Sequence, residues 1–195
     1  MDENPTEKNK ATEKHRVDED NVKELIAALK SRGLTVSFAE SLTAGLISAT
    51  VADIPGASAV LRGGFITYSD SVKHELLGVS EKTLSEHTAV SAETASEMAE
   101  GCMARLGTDI AVSATGYAGP SGGEDGTPVG RVFIGVSFRE KSPGKTKKTE
   151  VFRFNFDGGR HDIRTATVNA AINVVLKILG ANDRAQNNFC NKNQT

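Results

Sequence analysis

Ser41 lies in A-E-S-L-T-A-G, residues 39–45, where an alternating apolar stretch gives way to a helical period. At a strand-to-helix boundary the first helical N–H groups lack partners, and the helix dipole favours negative charge there. A serine hydroxyl so placed could attack a carbonyl carbon while backbone N–H groups at the start of the helix hold the oxyanion. The commoner use of serine at such a boundary is simply to cap the helix. Ser41 fits neither the G-x-S-x-G elbow nor the S-x-x-K arrangement of the β-lactamases.

Two further segments carry chemistry. In G-F-I-T-Y-S-D-S-V-K, residues 64–73, Tyr68 is expected to end a strand and Lys73 to sit in the first turns of the next helix. Next to a serine, the pair could relay a proton if the lysine pKa falls from about 10.4 toward roughly 7 or 8. Burial or a neighbouring cation has that effect. The plain alternative is a core tyrosine and a solvated lysine. In T-G-Y-A-G-P-S-G-G-E-D-G, residues 115–126, the glycines let a backbone approach an anion closely. This loop matches neither G-x-G-x-x-G nor the Walker pattern, and many such loops only join two strands. The histidines show no metal-binding spacing. Cys102 falls on the apolar stripe of a helix, and Cys190 near the chain end. No metal or cofactor is expected.

The elements that would position these groups alternate in period. Val22, Leu25, Ile26 and Leu29 mark a helix capped at Asp20 and stopped by Gly33. A strand follows over 34–39, then a helix over about 42–53, a short strand over 65–68, and a helix capped by Asp70. Ser80 starts a short helix and Ser91 a longer one, closed by Gly107. A strand over 109–114 leads into the glycine loop. Residues 132–138 and 152–156 alternate about the turn Ser142-Pro143-Gly144, predicting an antiparallel hairpin. A last helix runs from Ile163 to a stop at Gly180. Helices interleaved with strands predict an α/β fold, with the hairpin making the sheet mixed. Ligands of such sheets bind beyond the carboxyl ends of the strands, where Glu40–Gly45 and Thr115–Gly126 both fall.

The 195 residues suit one domain, expected over 21–180, with polar and charged extensions at 1–20 and 181–195 read as disordered. No uninterrupted apolar run approaches 18 residues, and the amino-terminal region has no signal-like core. With 23 basic against 25 acidic residues and no basic stripe, nucleic acid is not an expected partner. The chain is expected to be soluble, cytoplasmic and free of membrane contact.

Together these segments resemble the CinA C-terminal domain family of nicotinamide mononucleotide deamidases. The likeness rests on A-E-S-L-T-A-G, G-F-I-T-Y-S-D-S-V-K-H-E-L-L-G-V, H-T-A-V-S at 87–91, S-A-T-G-Y-A-G-P-S-G-G, and P-V-G-R-V at 128–132. It implies a three-layer α/β/α sandwich with a mixed, mostly parallel sheet. It also implies hydrolysis of the nicotinamide mononucleotide carboxamide to nicotinic acid mononucleotide and ammonia. By this resemblance Ser41 is the nucleophile, helped by Tyr68 and Lys73. The implied substrate contacts are Glu40, Thr43, Gly45, Thr115, Gly116, Ala118, Gly119, Gly122 and Gly123. Arg62, Arg131 and Arg164 are the candidate phosphate ligands, and the resemblance allows a homodimer. This chain departs from the family pattern at Asp70, where Asn is expected, and at Ala44, where a second Gly is common. The alternative is a nucleotide-binding module of the same fold that does not turn over, with Ser41 as a cap, or a hydrolase of another amide.

Overall fold

The computed structural model describes residues 16–139 and 147–192, the stretch after residue 180 as backbone only. Helix α1 (Glu19–Arg32) is capped by Asp18, not Asp20: the Asp18 carboxylate accepts the Asn21 N–H, and Asp20 lies in the acidic first turn. Its stripe of Val22, Leu25, Ile26 and Leu29 is buried. Gly33, at φ +62°, closes it by donating its N–H to the Leu29 and Lys30 carbonyls.

Among the described residues five strands form one sheet in the order β2-β1-β3-β4-β5, comprising β1 (Val36–Glu40), β2 (Leu61–Ile66), β3 (Ile110–Gly116), β4 (Arg131–Arg139) and β5 (Lys147–Asn155). β2, β1 and β3 are parallel, while β4 runs antiparallel to both β3 and β5. β4 is thus the one reversed strand, as the hairpin pattern predicts. The expected turn at Ser142-Pro143-Gly144 lies outside the described residues.

Helices cover both faces, giving the α/β/α sandwich. On one face Val36, Phe38, Ile110, Val112, Val132, Ile134 and Val136 pack against α1, α2 (Leu46–Ala52) and α6 (Arg160–Lys192). On the other face lie α3 (Asp70–Leu77), α4 (Glu81–His87) and α5 (Ala92–Leu106), around Met98, Cys102 and Met103. This second face of the sheet is built from small residues: Ser37, Ala39, Ala111, Ser113, Gly135 and Ser137. α5 therefore approaches closely enough for Ser113 to donate to the Ala95 carbonyl at 2.5 Å. Ser37 pairs with Thr108 at 2.8 Å, so these buried hydroxyls are satisfied.

Three boundaries differ from the periodicity. The helix expected from 42 begins at Leu46, because Ala44 (φ +49°) and Gly45 (φ +92°) take left-handed conformations. The strand expected at 65–68 ends at Ile66. Its start at Leu61 is hidden by the Gly63-Gly64 pair, which has little strand propensity. The helix expected to stop at Gly180 continues to Lys192, so residues 181–192 prolong the last helix. Gly180 has no left-handed φ and nothing within 4 Å of its Cβ position, so it interrupts nothing. Residues 160–180 of this helix are long and apolar enough to cross a membrane, at mean hydropathy 1.2, yet 56% of that window is buried inside the fold.

Candidate active site

β1 delivers Glu40 and Ser41 to the carboxyl end of the sheet, where the Ser41 N–H bonds the Ala114 carbonyl of β3 at 2.9 Å. The chain then turns tightly before α2, with the Ala44 N–H returning to the Ser41 carbonyl at 3.1 Å. Ala44 stands in a left-handed conformation that costs a residue with a Cβ about 1–2 kcal/mol. This is where the resemblance leads one to expect glycine.

Ser41 does not cap α2. Gly45 holds the cap position, and the Glu40 carboxylate takes the N–H groups of Gly45 (2.9 Å), Ile47 (3.1 Å) and Ser48 (2.9 Å), with the Ser48 hydroxyl at 2.7 Å. Glu40 is therefore not a substrate contact: it is 1% exposed and its oxygens are spent on the helix. Gly45 belongs to the same clasp. The α2 N–H groups expected to form an oxyanion hole are likewise occupied.

The Ser41 hydroxyl instead meets Lys73, whose Nζ lies 3.5 Å from Oγ. Lys73 comes from the first turns of α3, at i+3 from Asp70. Ser69, not Asp70, holds the cap position of that helix, and its side chain makes no capping hydrogen bond. The Asp70 carboxylate turns to Lys73 at 3.6 Å. The Lys73 side chain is 1% exposed, and Asp70 57%. Burial pushes the Lys73 pKa below its ordinary value, and the Asp70 charge and hydrogen bond partly restore it. Sequence reasoning finds both signs here, but not that burial outweighs the carboxylate.

Tyr68 is not part of this contact. It is 58% exposed, and its hydroxyl accepts from Arg160 Nη2 at 2.9 Å, while Nη1 of the same arginine donates to the Gly119 carbonyl at 2.6 Å. Arg160 thus ties the end of β2 to the glycine loop. It was not among the expected arginines. Its signal is the pair Arg160 and Arg164, one turn apart at the start of a helix, where the dipole opposes cations.

Arg164 also reaches the site. Its Nη2 donates to the Thr43 carbonyl at 2.8 Å, while its Nε and the Thr43 hydroxyl are buried without partners among the described residues. Arg131 bonds Asn155 instead, and Arg62 lies near the amino end of edge strand β2, at the far end of the strand from Ser41.

Within the loop, several expected contacts hold the backbone in shape. Thr115 donates to the Ala89 carbonyl at 2.6 Å, Gly116 closes the ladder opposite Val132, and Ala118 is buried. The Gly123 N–H bonds Thr127, and a Cβ on Gly122 or Gly123 would collide with Thr127 or with Tyr117 and Asp125. Gly119 and Gly122 keep N–H groups without hydrogen bonds among the described residues. Burial first, then Asp125, Asp70 and Glu124, push the Tyr117 phenol up, so Asp70 and the loop tip share one neighbourhood. Among the described residues, no group of three or more His, Cys, Asp or Glu could hold a metal ion.

The chain resembles known proteins over this same span. It is 49% identical over 145 residues to a CinA-like protein of Endomicrobium trichonymphae, covering 74% of this chain and 32% of that one. It is 46% identical over 158 residues to a putative competence-damage inducible protein of Bacillus velezensis, covering 81% and 36%. The chain thus spans about a third of the length of these curated relatives. Among solved structures, the competence damage-inducible protein A of Klebsiella pneumoniae superposes with TM-score 0.79 at 34% identity, covering 85% of this chain and 98% of that one. The protein CihA of Agrobacterium tumefaciens gives 0.73 at 38% identity, covering 83% and 94%. With the CinA C-terminal domain model matching residues 18–179, nearly all of the described fold, the chain belongs to that family.

Proposed function

We propose that this domain hydrolyses the carboxamide of nicotinamide mononucleotide, giving nicotinic acid mononucleotide and ammonia through a Ser41 acyl-enzyme. One observation carries the proposal: a buried lysine with a lowered pKa meets a serine hydroxyl that has no capping role. Neutral Lys73 accepts the Ser41 proton as Oγ adds to the carboxamide carbon. The tetrahedral adduct then expels ammonia, which takes that proton as it leaves. Water, deprotonated by Lys73, adds to the ester, and collapse releases the carboxylate and returns the proton to Ser41.

The phosphate is assigned to Arg160, an exposed cation whose guanidinium spans the end of β2 and the glycine loop. Free Gly119 and Gly122 N–H groups add backbone donors. Tyr68 holds Arg160 in place and takes no proton in this scheme.

Ammonia release from nicotinamide mononucleotide by the purified chain tests the proposal. Ser41→Ala and Lys73→Met are expected to lower kcat/KM by roughly 100-fold to 10,000-fold with the fold intact. Full activity in Ser41→Ala would overturn the nucleophile. A second possibility, a binding module without turnover, is favoured by Asp70 at 3.6 Å, which stabilises the charged lysine. Calorimetric binding of the mononucleotide with no ammonia from the wild type would select it.

A further inference from the structure

We infer that Glu40 is the positioning residue of this site: its buried carboxylate takes up the first-turn donors of α2, freeing the Ser41 hydroxyl for Lys73 and leaving the Leu42 and Thr43 N–H groups to receive an oxyanion. The inference rests on the Ser41 acyl-enzyme proposed above.

Strand alternation puts Glu40 on the same face as Val36 and Phe38, where an apolar side chain is the norm. A carboxylate buried without a cation is costly unless every lone pair finds a donor. Glu40 has no salt-bridge partner among the described residues, and all four of its donors come from one short segment, Gly45 to Ser48. The carboxylate therefore fixes where α2 begins relative to the end of β1.

Two consequences fall on the neighbouring residue. A serine next to open helical N–H groups ordinarily caps them. With those groups taken, the Ser41 hydroxyl makes its hydrogen bond with Lys73. The other consequence concerns the turn itself. Among the described residues the N–H groups of Leu42 and Thr43 form no hydrogen bond, although Leu42 is 4% exposed and Thr43 0%. Buried orphan N–H groups are rare in folded proteins, and two in succession directly after the nucleophile suit the oxygen of a tetrahedral adduct. Glu40 touches neither substrate nor reacting atoms; it acts through the turn.

The test uses a readout that needs no nicotinamide substrate: the rate at which a fluorophosphonate probe phosphonylates Ser41, alongside kcat and KM. In Glu40→Gln an amide NH₂ faces donors where an oxygen stood. The labelling rate and kcat are expected to fall about 100-fold, the cost of a small misplacement at a reacting centre, with KM moving less than about threefold. Glu40→Asp, which keeps both oxygens, should recover about tenfold of that loss. Ser48→Ala, which removes only the 2.7 Å hydroxyl donor, should stay folded and lose severalfold in labelling rate. It decides the matter if Glu40→Gln fails to fold, since an unchanged rate there overturns the inference.

Labelling and kcat within threefold of wild type in a folded Glu40→Gln would overturn it too, as would a raised KM with kcat intact. A wild type that labels rapidly but releases no ammonia, with slow labelling in Glu40→Gln, would sink the substrate assignment and support the positioning role. An unlabelled wild-type Ser41 would overturn both.

Discussion

Lys73 sits between a hydroxyl at 3.5 Å and a carboxylate at 3.6 Å, and the balance between burial and Asp70 sets how much of it is neutral. Burial lowers its pKa and is the larger influence; Asp70 raises it. Asp70 is more than half exposed, so water screens part of its effect. Activity that needs neutral Lys73 rises as pH climbs through the pKa of that lysine. Removing the opposing charge in Asp70→Asn lowers that pKa further, so the acid limb of the kcat/KM profile is expected to move to lower pH. Profiles of the two proteins over the same range decide it: an unmoved limb, or one displaced to higher pH, would show that Asp70 does not govern Lys73. At this scale the spacing favoured a cap for Ser41 and a solvated side chain for Lys73, and only the resemblance singled them out as a pair. The same resemblance gave Glu40 to the substrate and Tyr68 to the proton relay, because neither the helix donors of Glu40 nor the Tyr68 partner, Arg160, 92 positions away, is visible in a motif.

Elements explain why some boundaries resisted prediction. Leu42, Leu46, Ile47 and Val51 suit a helical stripe from residue 42, yet α2 starts at Leu46 because its cap arrives from the preceding strand. Periodicity reports the face a segment buries and carries no information about a capping carboxylate five to eight residues earlier. The start of α6 shows the converse: two arginines against the dipole are unfavourable locally and become intelligible only beside Thr43, Gly119 and Tyr68. If Arg160 reads a phosphate, Arg160→Ala should damage the mononucleotide more than the riboside that lacks it. The ratio of kcat/KM for nicotinamide mononucleotide to that for nicotinamide riboside is expected to fall at least about tenfold, a loss of the size a charge-assisted hydrogen bond gives. An unchanged ratio would move the phosphate elsewhere.

Across the whole molecule, the site depends on a sheet whose two faces are packed differently. One is a conventional apolar face; the other is lined with small side chains so that α5 can lie close, and α5 in turn packs against α3, which carries Lys73. The alternation that made the mixed sheet legible also placed these small residues. Their use as a landing for a helix depends on tertiary contact that no single segment reveals. On this face of the sheet Gly135 leaves no room for a side chain, since an added Cβ would collide with the Ala95 carbonyl and the Ser113 hydroxyl. Neither is the loose end of a flexible chain, because Ser113 is itself bonded to Ala95 and to the Gly135 N–H. Gly135→Ala should therefore push α5 away from the sheet, destabilising the fold by about 1–3 kcal/mol as overpacked cores do. Urea denaturation reads this as a lower midpoint, and kcat measured well below that midpoint should also fall, because α5 supports α3 and with it the position of Lys73. A midpoint that does not move would mean the helix has slack to retreat, and the small-residue face would then not be what sets the distance between α5 and the sheet.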